Sequence, residues 1–90
     1  MNAAVHMVVE GLVQGVGFRW FVARHANSLG LRGFVKNNYD GTGEVEAEGD
    51  RGLLEALVKE VRIGPRSAHV TNLVLEWKDP THQFTHFQIR

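Results

Sequence analysis

The sequence predicts an α+β sandwich in which two helices cover one face of an antiparallel sheet. Three observations carry this. Apolar and polar residues alternate over residues 5–13 and again over 44–48, the period of a half-buried strand. Residues 18–29 and 54–61 instead space their apolar residues three and four apart, as a helix with one buried face does. Turn chemistry separates these runs: glycines at 11, 15 and 17, then Asp40-Gly41, Gly64-Pro65 and Asp79-Pro80.

In the first strand Val5, Met7, Val9 and Val13 share a face, with His6 and Glu10 between them. The first helix, residues 18–29, presents a stripe of Phe18, Phe21, Val22, His25, Ala26 and Leu29, and Gly30 stands where a helix commonly ends. Residues 32–39 read as a second strand, stopped by Asp40-Gly41. In the third strand, 44–48, Val45 and Ala47 point inward while Glu44, Glu46 and Glu48 line a solvated open face. Asp50 suits the N-cap of a second helix, whose stripe is Leu54, Leu57, Val58 and Val61 and whose stop is Gly64-Pro65. Residues 70–77 form a fourth strand with Trp77 packed at its end, and residues 84–89 a short last one. The order βαββαβ plus a C-terminal strand is that of a ferredoxin-like sandwich.

Ninety residues make a single domain, 1–90. A chain this short buries about 60–65% of its unfolded surface, so a site must be a surface loop or a shallow cleft. Ten basic residues balance ten acidic ones. Nucleic-acid binding draws its affinity from a basic excess, so none is expected. There is no cysteine, residues 1–9 are too short and polar for a secretory signal, and nothing approaches a membrane span. The expectation is a cytoplasmic chain without a membrane partner, monomeric because no segment stands out as an interface. Five histidines raise the question of metal. His82 and His86 are four apart, but the neighbouring Pro80, Phe84, Phe87 and Ile89 make that segment turn and strand, where the spacing does not aim two ligands at one ion. His25 on its apolar stripe reads as a hydrogen-bonded core or boundary residue. No metal and no cofactor are expected.

The segment richest in chemistry is Gln14-Gly15-Val16-Gly17-Phe18-Arg19, between a strand and a helix start. Two glycines let the backbone turn sharply so that its N–H groups converge. A helix N-terminus adds unpaired donors and partial positive charge, which together make an anion cradle. Arg19 brings a planar fork of donors matched to two phosphate oxygens, at a helix end where a cation is otherwise mildly unfavourable. The same residues fit an ordinary turn followed by a surface arginine, and physics alone leaves both readings open. The loop is neither a Walker A motif nor a dinucleotide fingerprint, because no Gly-Lys-Ser/Thr follows and Trp20 occupies the last glycine position.

Residues 9–19, Val-Glu-Gly-Leu-Val-Gln-Gly-Val-Gly-Phe-Arg, resemble the first signature of the acylphosphatase family. Gly33-Phe34-Val35-Lys36-Asn37, followed by Asp40-Gly41 and Gly49, resembles the second, and Gly64-Pro65 also matches. The resemblance covers nearly the whole chain. It departs at Gly43, where the family usually has valine, and a strand glycine there suggests a bulge or a weakened hairpin. The resemblance implies hydrolysis of carboxyl–phosphate anhydrides without metal or cofactor. It also implies roles: Arg19 binds phosphate, Asn37 orients the attacking water, and the backbone of Gln14, Gly15, Val16, Gly17 and Phe18 holds the phosphate oxygens.

That chemistry is self-consistent. A carboxylate is a good leaving group, so positioning and electrostatics suffice and no strong base is needed. Asn37 offers a donor and an acceptor for a water, though Asn37-Asn38 before Asp40-Gly41 also reads as plain turn chemistry. Trp20, beside Arg19 and off the helix stripe, either borders the site and touches the acyl group or packs on the loop. Three other functions fit less well. An anion-binding module needs no water-positioning amide. RNA binding through the sheet needs aromatics where the third strand has three glutamates. A domain acting inside a larger maturation enzyme on a carbamoyl-phosphate-like substrate is disfavoured by the absence of a linker before Arg90.

Overall fold

The computed structural model describes residues 1–90. The elements in chain order are β1 (Asn2–Leu12), α1 (Phe18–Ser28), β2 (Arg32–Asn37), β3 (Gly43–Asp50), α2 (Arg51–Ile63), β4 (His69–Lys78) and β5 (Phe87–Ile89). They form one five-stranded sheet in the order β4-β1-β3-β2-β5. The first four strands pair antiparallel, as the sequence predicts. β5 lies parallel to β2, with Gly33 opposite Phe87 and Val35 opposite Ile89, so the complete sheet is mixed.

The core forms where the inward residues of the sheet meet the helix stripes. Val5, Met7, Val9, Val35, Val45 and Ala47 are buried against Phe18, Val22 and Ala26 of α1 and Leu54, Leu57 and Val61 of α2. Phe21, His25 and Leu29 are only partly buried, at the edge of the α1 stripe. His25 packs against Phe21 with ring centroids 4.5 Å apart and planes tilted by 59°, and lies 3.5 Å from Glu60, tying α1 to α2 at the boundary of the core. The side chain of Asp50 caps α2 by accepting from the N–H groups of Gly52 and Leu53. Trp77 is half-buried near the end of β4, with the Arg51 guanidinium 3.7 Å above its ring.

Three expectations change. Glu48 is not on a solvated face: it is fully buried, covered by the segment between β4 and β5. Its carboxylate accepts hydrogen bonds from the N–H (2.8 Å) and hydroxyl (2.6 Å) of Thr81 and from the N–H of His82 (3.1 Å). Glu44 and Glu46 do face outward but are paired, Glu44 with His6 at 2.8 Å and Glu46 with Lys78 at 3.3 Å. The last strand begins at Phe87 rather than at residue 84, because only residues 87–89 pair with β2. Gly43 makes no bulge. It pairs in regular register with Val9 and Asn37, and the register shift in β1 falls at Glu10/Gly11 instead. A Cβ on Gly43 would stand 2.9 Å from the Phe18 ring, so the missing side chain is the space that ring fills.

Candidate active site

β1 ends at Leu12 and α1 starts at Phe18, and the five residues between them make the loop. Gly15 and Gly17 both adopt left-handed conformations, with φ of 74° and 80°. A Cβ at either position would touch nothing within 4 Å. Glycine is needed here for its backbone torsions and not for space. Gly17 serves as the N-cap of α1, so no side chain caps the helix, and its first turn holds no acidic residue. The N–H groups of Gly15, Val16 and Gly17 donate to no protein acceptor, and the first bond of the helix runs from the Phe21 N–H to the Gly17 carbonyl. These backbone donors are thus left unpaired at the positive end of a helix dipole, with no acidic residue in the first turn.

Against this loop lies a cleft of about 140 Å³, lined by Val13, Gly15, Gly17, Phe18, Arg19, Trp20, Asn37 and Ile89. The fold thereby brings together Arg19 from the start of α1 and Asn37 from the end of β2. Arg19 is exposed, and one terminal guanidinium nitrogen donates to the Arg90 backbone carbonyl at 2.9 Å. That bond leaves its remaining donors available. The Asn37 Oδ1 is buried and has no hydrogen-bond partner. Buried polar atoms in native proteins are nearly always paired, so this atom is an exception, and it belongs to a residue that lines the cleft.

Of the other residues singled out from the sequence, Gly15, Gly17 and Phe18 line the cleft, Phe18 as a buried floor residue. Val16 is partly buried against the core and is not among the lining residues. The side chain of Gln14 points elsewhere: its amide donates to the carbonyls of Asn38 (2.7 Å) and Thr42 (3.1 Å). It buckles the loop to the β2–β3 turn, directly after Asn37. That turn is closed by its own bonds, Thr42 donating to the Asp40 carboxylate through its hydroxyl (2.6 Å) and its N–H (3.0 Å). The Thr42 hydroxyl and backbone bonds hold the Asp40 carboxyl below its ordinary value. Asp40 is therefore a turn residue, fixed as an anion.

Two contributors went unforeseen. Ile89 forms a cleft wall and the Arg90 carbonyl steadies Arg19, and both depend on β5 docking beside β2. Phe84, Phe87 and Ile89 announce apolar residues but not the strand they join. Trp20 lines the cleft and is 70% exposed.

The sequence matches the Acylphosphatase family over residues 5–89. The acylphosphatase of Pelotomaculum thermopropionicum is 45% identical over 88 residues, spanning 98% of this chain and 96% of the relative. That of Chlorobaculum tepidum is 52% identical over 69 residues, 77% of this chain and 75% of the relative. The crystal structure of acylphosphatase from Bacillus subtilis superposes with a TM-score of 0.94 at 36% identity, covering 100% of this chain and 99% of the other. With the family match running almost from end to end and the whole fold superposing, this chain belongs to the acylphosphatase family.

Proposed function

We propose that the chain hydrolyses acyl phosphates to carboxylate and inorganic phosphate in the cleft between the 14–18 loop and Asn37, with no metal or cofactor. The observation that carries this reading is that Asn37, whose buried Oδ1 has no partner, lines the same cleft as Arg19 and the loop with its free N–H groups. The N–H groups of Gly15, Val16 and Gly17 and the helix dipole hold a phosphate dianion, and the Arg19 fork grips its oxygens. Asn37 accepts a hydrogen bond from a water and aims its oxygen at phosphorus. As that oxygen bonds to phosphorus, the bond to the acyl oxygen breaks and the carboxylate leaves with the electron pair. The water's proton passes to a phosphate oxygen of the substrate. The protein's part is placement of the water and stabilisation of charge on the equatorial oxygens.

The same reading takes the enzyme as a cytoplasmic monomer. No helix is long and apolar enough to cross a membrane. The test is Asn37→Ala, assayed with acetyl phosphate. The reading expects kcat to fall by about two orders of magnitude, an effect of the size seen when a positioning group is lost, while competitive inhibition by inorganic phosphate stays put. Equal losses in phosphate binding and in rate would make Asn37 a binding residue and remove its role with water.

A further inference from the structure

Residues 79–86 lead from β4, at one edge of the sheet, to β5, at the other. The row of strand partners Lys78, Ala4, Glu48 and Arg32 crosses the sheet along the same path. Ala4 and Glu48 are fully buried, although their sequence neighbours Ala3, Val5 and Ala47 are the ones that face the helices. The connecting strap is what covers them. Its ends lie four strand spacings apart, roughly 19 Å. The chain from Lys78 to Phe87 can reach roughly 30 Å. The strap therefore has slack, and contacts along it must fix its path. Glu48 supplies the central ones, accepting from the Thr81 N–H and hydroxyl and from the His82 N–H. His82 is held there at a φ of 58°, a conformation that non-glycine residues adopt infrequently. Further on, Phe84 packs against Phe34 with ring centroids 6.0 Å apart, and the Gly33 N–H donates to the His86 carbonyl at 3.1 Å. β5 itself is only three residues, at the short end for a strand. Directly after it, the Arg90 N–H donates to the Val35 carbonyl at 2.8 Å, and the Arg90 carbonyl accepts from Arg19 at 2.9 Å.

We propose that Glu48 is a positioning residue for Arg19. By fixing the strap it fixes where β5 docks beside β2, and so where the Arg90 carbonyl holds the Arg19 guanidinium. The proposal rests on the reading that Arg19 grips the phosphate. Glu48 does not line the cleft and acts only through Thr81, His82, β5 and Arg90. Its influence falls on phosphate affinity, the part of the reaction that Arg19 serves. The Asn37 side of the cleft is carried by β2 and by the Gln14 bonds to the β2–β3 turn, and keeps its place without the strap.

The experiment measures inorganic phosphate affinity by phosphorus NMR titration in the intact chain, Glu48→Gln, Arg19→Gln and the double variant, each at a temperature where fluorescence shows it folded. Arg19→Gln should weaken phosphate binding. Glu48→Gln should weaken it about three- to tenfold, the scale for a residue that acts through its neighbours. In the Arg19→Gln background the same change should have almost no further effect, because the group it positions is gone. Thr81→Val alters an exposed side chain and removes one of the three bonds to Glu48. It should show the same pattern at smaller size, and it carries the test if Glu48→Gln folds poorly. A general weakening of the fold would cut affinity by the same factor in both backgrounds, and that result overturns the proposal. Unchanged affinity in Glu48→Gln, with Arg19→Gln impaired, also overturns it and leaves the phosphate role of Arg19 standing. Undiminished binding in Arg19→Gln overturns both readings together.

Discussion

Replacing Glu48 by glutamine should expose how much the buried carboxylate contributes to the fold. Its three hydrogen bonds come from the Thr81 N–H, the Thr81 hydroxyl and the His82 N–H. Bonds to a charged group contribute about 1.5–3 kcal/mol each. Glutamine keeps one acceptor oxygen but turns an NH2 donor toward a backbone N–H, so the loss comes to about 2–4 kcal/mol. For a chain of this size that lowers Tm by roughly 10–20 °C. The change also carries a pH signature. Burial pushes the Glu48 carboxyl up, but the bonds from Thr81 and His82 together outweigh it, and the group sits below its ordinary 4.5. The unfolded chain therefore takes up this proton more readily than the folded one. The stabilisation is fully present above pH 4.5 and is lost as pH falls through the folded-state value. Urea unfolding followed by tryptophan fluorescence, at neutral pH and across the acid range, measures both effects. Glu48→Gln should unfold at lower urea at pH 7 and lose less stability on acidification than the parent. A residual acid limb should remain, because Asp40, Glu44 and Asp50 are also held below their ordinary values by hydrogen bonds. An unchanged midpoint with an identical acid limb would show that the buried carboxylate contributes nothing to the fold.

Other expectations concern the cleft and its supports. Gln14→Ala removes both bonds to the β2–β3 turn, so stability should fall by about 1–2 kcal/mol in urea titration. Its kcat should fall more than its affinity for phosphate, because the Asn37 end of β2 is what loosens. Gly43→Ala improves strand propensity by about 0.5–1 kcal/mol. The added Cβ meets the fully buried Phe18 ring, and overpacking of about 1–3 kcal/mol should make the variant less stable than the parent. Arg19→Lys should lose most of its kcat/KM despite keeping the charge, because an ammonium cannot reproduce the planar fork. Near-normal turnover there would show that charge alone serves.

Most of the sandwich was legible because local periodicity and global burial agree. The residues at Val5, Met7, Val45 and Ala47 alternate as a sheet face must. Leu54, Leu57, Val58 and Val61 recur as a buried helix stripe must, and Asp50 caps where expected. The unusual torsions of Gly15 and Gly17 were legible too, since two glycines between a strand and a helix have few other uses. What escaped depends on long-range docking. Glu48 sits in an alternation that looks solvated until a coil segment with no period folds over it. Ile89 reaches the cleft only because β5 lies parallel to β2, a pairing that no local pattern encodes. The purpose of Gly43 is written in Phe18, on a different element.

Metal-free hydrolysis by Arg19 and Asn37 on one cleft can be tested in one assay. Benzoyl phosphate hydrolysis is followed in excess EDTA for the intact chain, Arg19→Gln and Asn37→Ala, each first shown to be folded. The intact chain should turn over rapidly, unaffected by EDTA, and both variants should lose nearly all activity. Turnover that EDTA abolishes and a divalent ion restores, or that survives in either variant, would contradict it.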